Sequence, residues 1–249
     1  MWFGTRGRAL KPPFMKRSRE RIDLSVYLRA FPVYARNPTV IVLPLLAGVI
    51  GVLVARVSDV TGGGLIGSLT TFLVILLELF ALGVSIIIAD AGWRRGTASF
   101  DEAWQDARRK GRDILFAAFG LTFVVSIAQY SAEIVGNFGL VLMALAVYFL
   151  IYTIAASAIG GIPGGAAISV SIERVKSAPL GSALLTVLSM VLLFYAAQFV
   201  NAWIIGLAGV TSQMVATLIG TAVNAILTGY VAIVMAKVYA DVSFTPPRW

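Results

Sequence analysis

The sequence predicts an all-α integral membrane protein with six transmembrane helices. Of its 249 residues, 59% are hydrophobic and only 13% are charged, whereas soluble domains carry about 25% charged residues. The apolar residues fall into six blocks, and each block approaches or exceeds the ~20 residues that cross a hydrocarbon core. The basic residues cluster between alternate blocks, as they do in proteins that cross a membrane several times.

The chain divides into three regions in this interpretation. Residues 1–21 carry seven basic residues against the single acid Glu20, and we expect a basic cytoplasmic tail that anionic lipid headgroups attract. No apolar core of a cleavable signal peptide follows it. Residues 22–241 form the predicted membrane domain, and residues 242–249 form a short cytoplasmic C-terminal tail.

An amphipathic segment precedes the first predicted span, at residues 22–38. Leu24, Leu28, Phe31 and Ala35 share one helical face. Pro32 is expected to kink or end this helix, because proline lacks the N–H that an interior helical position donates. The six spans that follow cover about residues 39–57, 65–89, 114–132, 138–159, 180–204 and 214–238.

The distribution of Lys and Arg predicts the orientation of these spans. Nine lie at or before Arg36, six between Arg94 and Arg112, two in the third polar segment and two near the end of the chain. The remaining one, Arg56, lies at the far end of the first span, toward the loop that joins it to the second. By the positive-inside rule, both termini are cytoplasmic in a multi-pass protein of the plasma membrane.

The polar stretch from Asp90 to Asp113 predicts an amphipathic helix on the cytoplasmic surface. Ser99 and Glu102 form the S-x-x-E pattern of a capping box. Past this cap, apolar residues recur at spacings of three and four, and charged residues fall on the other side. An ordinary solvated connector helix is the alternative. The apolar positions are Phe100, Ala103, Trp104, Ala107 and Ile114.

Three segments of this kind suggest an internal repeat. The matching positions are Leu28 to Arg36, Phe100 to Arg108 and Ile168 to Lys176. Two predicted spans follow each segment, so we interpret the chain as three parallel copies of a surface helix plus a transmembrane hairpin. Chance similarity between amphipathic segments is the alternative.

Short motifs along the chain resemble a known group of membrane proteins. They are Ala35-Arg36-Asn37-Pro38, Ser99-Phe100-Asp101-Glu102-Ala103-Trp104 and Tyr239-Ala240-Asp241. In these motifs the chain is similar to uncharacterised six-helix membrane proteins that resemble the membrane domain of glycerophosphoryl diester phosphodiesterases. The resemblance implies a fold and a membrane location. It implies no hydrolysis, because the catalytic domain has no counterpart here.

The absence of His and Cys narrows the chemistry that the chain can perform. It excludes zinc sites of the usual Cys/His type, iron–sulfur clusters, Ser-His-Asp triads and every His general base. We therefore predict a protein that is not an enzyme, with no catalytic residues, metal or cofactor. Nothing in the sequence indicates nucleic-acid binding.

Glu78 is the most unusual residue, because an acid lies in the middle of the second span. An ionised acid there costs about 2.5–3.5 kcal/mol on insertion scales. It indicates either a proton or cation site, or a neutral acid that holds helices together by a hydrogen bond. Gln198, Asn201 and Asn224 complete the candidate intramembrane polar set. Asn224 also belongs to a four-residue-spaced stripe of Ser212, Ala216, Gly220, Asn224 and Thr228, which we interpret as a face for close helix packing, with the wall of a polar conduit as the alternative.

Two functions fit these observations. The first is a scaffold or accessory subunit whose basic cytoplasmic helices contact anionic lipids or a partner protein. The second is a small transporter or channel-like carrier that uses Glu78. The candidate contact residues for the first are Trp104, Arg108, Arg109, Lys110, Arg112, Arg174 and Lys176.

Overall fold

A computed structural model of the chain describes residues 25–61, 64–177, 180–207, 209 and 212–243. The predicted tail at residues 1–21 lies outside these residues, as do residues 244–249 of the C-terminal tail. The described residues form helices and turns, without β-strands. The elements are α1 (Ser25–Arg36), a 3₁₀ turn (Pro38–Ile41), α2 (Val42–Thr61), α3 (Gly64–Arg95), α4 (Phe100–Val135), α5 (Asn137–Leu150), α6 (Thr153–Ala158), α7 (Gly164–Ser177), α8 (Leu180–Leu207) and α9 (Gln213–Ser243).

The described residues confirm the predicted all-α class. Three of their helical segments are long and apolar enough to cross a membrane, namely Pro38–Arg56, Gly67–Arg95 and Gln213–Asp241. They correspond to α2 with its 3₁₀ turn, α3 and α9. Two shorter apolar segments are Ala144–Ala158, which covers the end of α5 and all of α6, and Leu184–Leu193 within α8.

The segment from Asp90 to Asp113 is not the separate short helix that the sequence predicts. Its first six residues belong to α3, which ends at a left-handed glycine, Gly96, whose φ is 84°. The N–H of Gly96 donates to the Gly92 carbonyl over 2.9 Å, as at a glycine helix terminus. From Phe100 onward, α4 continues into the apolar stretch without interruption. Gly111 does not break it, because an interior glycine costs only about 1 kcal/mol.

The apolar face at the start of α4 packs against protein. Ala103, Ala107 and Ile114 are buried in the main hydrophobic core. The charged side of the segment is exposed, as predicted. Helix α4 therefore uses this face to join the bundle, rather than to rest on a membrane surface.

Helix α1 uses its faces differently. It continues past Pro32 to Arg36 and buries Val26 and Ala30. The face that the sequence marks as apolar is turned outward, with Leu28 74% and Phe31 60% exposed. Exposed apolar side chains on a short amphipathic helix are typical of a helix at a membrane interface. The equivalent positions of α1 and α4 thus have different environments.

The chain breaks its helix between α5 and α6, and α7 satisfies the broken backbone. The Ser171 hydroxyl donates to the Phe149 carbonyl over 2.8 Å and accepts from the Tyr152 N–H over 3.1 Å. Non-helical backbone is tolerated at membrane depth only when protein groups or water satisfy it. Ser171 therefore allows an interruption in an otherwise apolar stretch.

One end of the bundle, which we call the basic end, holds α1, the 3₁₀ turn, residues 90–113, α6, α7 and the C-terminal part of α9. Asn37 is buried there. Its Nδ2 donates to the carbonyls of Val33 (2.8 Å) and Gly96 (3.2 Å), and its Oδ1 accepts from the Ala98 N–H (2.7 Å). This side chain fastens the α3–α4 turn to the end of α1.

Further side chains at the basic end bond to the backbone of a neighbouring helix. The Trp93 indole N–H donates to the Ile233 carbonyl over 2.8 Å, and the Ser85 hydroxyl to the Val40 carbonyl over 2.8 Å. Tyr34 donates to the Ile226 carbonyl over 3.0 Å. Burial raises the pKa of Tyr34 to about 12, so its hydroxyl stays protonated and able to donate. These bonds tie α1, α3 and α9 together.

Candidate functional site

A polar cavity of about 560 Å³ lies between α2, α3 and α9. This volume is within the range of about 300–1,000 Å³ that is usual for small-molecule sites. Helix α2 contributes small and apolar residues, including Pro44, Gly48 and Gly51. The polar side chains that line the cavity are Arg56 from α2, Glu78 from α3, and Gln213, Thr217, Thr221, Asn224 and Thr228 from α9.

Glu78 is exposed to this cavity rather than packed between helices. Among the described residues, its carboxylate takes part in no hydrogen bond and no ion pair. A neutral acid that holds two helices together would instead bond to a hydroxyl, an amide or a carbonyl. The geometry of the described residues therefore favours a site over a structural contact.

The α9 wall is a continuous polar stripe. Gln213, Thr217, Thr221, Asn224 and Thr228 recur at intervals of three and four residues, which places them on one helical face. The stripe extends over about 22 Å of helix, at 1.5 Å per residue. A polar ligand would therefore find hydrogen-bonding groups along most of the depth of a hydrocarbon core.

Only the C-terminal part of the stripe predicted from the sequence lies on this wall. Asn224 and Thr228 do line the cavity. Gly220 instead faces α8, since a Cβ at this position would lie 3.2 Å from Asn201 Nδ2. Strict four-residue spacing drifts around an α-helix with 3.6 residues per turn, so it does not follow one face over four turns.

Among the predicted intramembrane polar residues, the structure separates Asn201 from Glu78 and Asn224. Glu78 and Asn224 line the same cavity. Asn201 lies at the contact between α8 and α9, and its Oδ1 is buried with no hydrogen-bond partner among the described residues. The Gln198 side chain lies outside the described residues.

The predicted contact residues of α4 are mostly on the surface. Trp104 stacks on Phe100 with ring centroids 6.4 Å apart, and it is 36% exposed. Arg108 and Arg112 are exposed, and the Arg112 guanidinium lies 5.6 Å from the centroid of the Phe116 ring. This part of α4 presents two arginines and an aromatic side chain outward.

The other basic residues are more engaged with the protein. Arg109 pairs with Asp106 over 2.8 Å. Lys110 donates to the Ala158 carbonyl over 2.8 Å, which ties α4 to α6. On α7, Arg174 is half-buried and Lys176 is exposed.

A second cavity of about 560 Å³ lies at the basic end, between the end of α3 and the start of α4. Acids and bases on its walls are paired: Arg94 with Asp90 over 2.6 Å, and Arg95 with Glu102 over 2.7 Å. Glu102 thus bonds to Arg95 rather than closing the predicted capping box. Such mutually satisfied charges leave the second cavity a weaker candidate than the first.

Sequence reasoning missed Arg56, Gln213, Thr217 and Thr221. Arg56 carried a signal, because it is the single basic residue outside the clusters assigned to the cytoplasmic side. The α9 residues carried a weaker one, a threonine and amide stripe with helical spacing. Its relation to Glu78 depends on how α2, α3 and α9 pack, which a single sequence does not specify.

Comparison with known proteins finds no matching family model, no matching curated protein and no matching solved structure. The resemblance to the membrane domain of glycerophosphoryl diester phosphodiesterases stays a prediction. Within the described residues, no group of three or more His, Cys, Asp or Glu side chains gathers in a way that could hold a metal ion. The chemistry of the cavity is therefore the basis for assigning a function.

Proposed function

We propose that this protein is a small multi-pass carrier or channel-like protein that moves a polar solute or ion through the cavity lined by Glu78. The membrane domain in this proposal has six spans: α2, α3, the apolar part of α4, α5 with α6, α8 and α9. Helix α4 has 36 residues, about 54 Å at 1.5 Å per residue, so its charged start projects beyond a hydrocarbon core of about 30 Å.

The orientation in this proposal follows the positive-inside rule. The basic end faces the cytoplasm of a cell whose plasma membrane holds the protein. Arg56 and Gln213 then mark the outer end of the cavity, whereas Glu78 and Asn224 lie near mid-depth. In this orientation the close-packed, hydrogen-bonded basic end separates the cavity from the cytoplasm, and we infer that the cavity opens toward the outside.

The observation that carries the proposal is the environment of Glu78. A carboxylate at this depth is costly unless water, a cation or a proton accompanies it. Glu78 lies in a polar cavity and takes no protein partner among the described residues, which leaves its oxygens available to a transported species. Hydroxyl and amide groups on α9 would replace part of the hydration shell of that species.

Ion flux into proteoliposomes tests the proposal. Purified protein is reconstituted with an internal pH-sensitive dye to follow protons, or an internal sodium-sensitive dye to follow sodium, and a potassium diffusion potential drives the movement of either ion. We expect Glu78→Gln to abolish a flux that the unaltered protein supports, because the amide carries no charge to bind a cation or proton. Glu173→Gln is the matched control, since Glu173 is exposed on α7 and outside the cavity.

The second candidate is a non-enzymatic scaffold or accessory subunit that contacts anionic lipids or a partner at the basic end. The exposed Arg108 and Arg112 beside Trp104 favour it, as do the outward Leu28 and Phe31 of α1. Basic and aromatic side chains together suit a headgroup region.

A double substitution tests this second function. Arg108→Gln with Arg112→Gln should reduce co-sedimentation of nanodisc-embedded protein with vesicles of anionic lipid, by an amount that decreases with salt. If vesicle binding and the set of co-purified proteins are both unchanged, the scaffold function is wrong.

Equal flux in the unaltered protein and in Glu78→Gln would contradict the carrier function.

A further inference from the structure

Two charges with unusual positions in the sequence meet in one cavity. Glu78 lies in the middle of an apolar helix, and among the described residues Arg56 is the single Lys or Arg outside the basic end. Each charge opposes the usual distribution in a membrane protein, where acids avoid mid-depth and cations avoid the outer side. Both line the space between α2, α3 and α9.

The two charges do not neutralise each other. Glu78 and Arg56 form no ion pair, although both lie among the described residues. The register of α2 and α3 gives the reason. A Cβ on Gly51 would lie 3.0 Å from Val74 Cγ1, so Gly51 and Val74 lie at the same height along the helix axes. Arg56 lies five residues from that height, away from the basic end, and Glu78 lies four residues from it, toward the basic end. Their Cα atoms are about 13 Å apart along the helix axes, at 1.5 Å per residue.

The Cα–Cβ bonds of Arg56 and Glu78 both point into the space that separates the two residues along the helix axes. In an α-helix the Cα–Cβ bond tilts toward the N-terminus. Because α2 and α3 run antiparallel on either side of a two-residue connection, this tilt points Arg56 toward the level of Glu78, and Glu78 toward the level of Arg56. The cavity therefore has a cationic end and an anionic end, with Thr217 and Thr221 of α9 on the wall beside it.

We propose that the cavity binds a small zwitterion of the amino-acid type, with its carboxylate at Arg56 and its ammonium group at Glu78. This inference rests on the proposed carrier function and names the class of its substrate. A guanidinium is well suited to a planar carboxylate, which it can bind through two N–H donors. A zwitterion satisfies both charges at once, whereas a simple anion or cation leaves one of them without a counter-charge.

The distance between Arg56 and Glu78 also determines how far apart the two charges of the ligand should be. A molecule whose charges are several bonds apart spans the gap better than one whose charges are adjacent. Binding should therefore increase along the series glycine, 4-aminobutanoate and 6-aminohexanoate, until the ligand fits the distance between the two side chains.

Ligand-dependent thermal unfolding of the full chain in lipid nanodiscs tests the inference. A ligand that binds the folded state raises the melting temperature, and a titration gives its apparent Kd. The probes are the ω-amino acid series, with butylamine and butyrate as single-charge analogues of 4-aminobutanoate. We expect 4-aminobutanoate to bind at least about tenfold more tightly than either analogue. Each analogue lacks one of the two charged groups and so forms one charged hydrogen bond fewer.

Two substitutions separate the two ends. Arg56→Gln should remove the preference for 4-aminobutanoate over butylamine, and Glu78→Gln should remove its preference over butyrate. Arg56→Lys retains the charge and should keep most of the preference. Arg36→Gln and Glu173→Gln are the matched controls, because both residues are exposed and neither lines the cavity.

The binding measurements test the zwitterion site, and the flux measurements test the carrier function, so one proposal can fail without the other. If the unaltered protein binds all probes equally, or Arg56→Gln keeps the full preference, the zwitterion site is wrong. The carrier function survives that result if Glu78→Gln still abolishes flux. A zwitterion preference that both cavity substitutions remove supports the site, even where no flux is measured and the carrier function fails.

Discussion

The basic end and the polar cavity share α3 and α9, yet their polar side chains lie in opposite environments. At the basic end Asn37, Ser85 and Trp93 point into the packed bundle and bond to backbone atoms of a neighbouring element. In the cavity Glu78 and Asn224 are exposed. Buried polar groups that are fully bonded stabilise a fold, whereas exposed polar groups in a concave site are available to a ligand.

Replacing an asparagine by alanine in each region should give the largest difference in the free energy of unfolding. Asn37→Ala removes three hydrogen bonds and leaves buried backbone groups of the α3–α4 turn without partners, so we expect a loss of about 3 kcal/mol in the free energy of unfolding. Asn224→Ala should change it by less than about 0.5 kcal/mol. Unfolding by SDS in mixed micelles measures both. Equal losses would show that the cavity is as structural as the basic end.

Adjacent glycines at the start of α7 make a sharper test of packing at the basic end. A Cβ on Gly164 would lie 2.2 Å from the Asp113 carbonyl oxygen, whereas one on Gly165 meets nothing within 4 Å. Gly164→Ala should therefore cost about 2 kcal/mol, as overpacking does. Gly165→Ala should stabilise the helix slightly, by up to about 1 kcal/mol. The unfolding midpoints of the two variants measure the difference, and a stable Gly164→Ala protein would be inconsistent with this packing.

A smaller effect is expected where one cross-helix bond is removed. Trp93→Phe loses the donor to the Ile233 carbonyl, which should cost about 1–2 kcal/mol. Trp104→Phe, at a partly exposed position of α4, should cost less than about 0.5 kcal/mol. If both tryptophans tolerate phenylalanine equally, the bond from α3 to α9 contributes little to the fold.

The sequence predicted the all-α class and the apolar segments of membrane-spanning length in α2, α3 and α9, because apolar length depends on each residue's own chemistry. It also predicted Glu78 and Asn224 as polar residues of one set, and both line the same cavity, whose function stays a prediction. It did not predict that α4 continues through residue 113, since an amphipathic pattern looks the same in a separate helix and in the first part of a long one. Nor did it reveal Asn37 as a buried anchor, because its partners at Gly96 and Ala98 are distant in the chain.

The difference between α1 and α4 has the same origin. Both carry an apolar face at helical spacing, and the pattern does not say what covers it. In α4 the small residues Ala103 and Ala107 allow close helix packing. In α1 the large Leu28 and Phe31 are mostly exposed, with the Phe31 ring in contact with Tyr230 of α9. Equal periodicity thus accompanies buried alanines in α4 and mostly exposed large side chains in α1.

In the proposed carrier, water reaches the cavity from the outer side of the membrane. Because the chain has no cysteine, single cysteines at Thr217 and Leu218 can be labelled in intact cells with a membrane-impermeant thiol reagent. These positions differ in depth by only about 1.5 Å, but Thr217 lines the cavity and Leu218 does not. We predict rapid labelling of Thr217→Cys and little of Leu218→Cys. Equal labelling of the two, or labelling of neither, would contradict a water-accessible cavity.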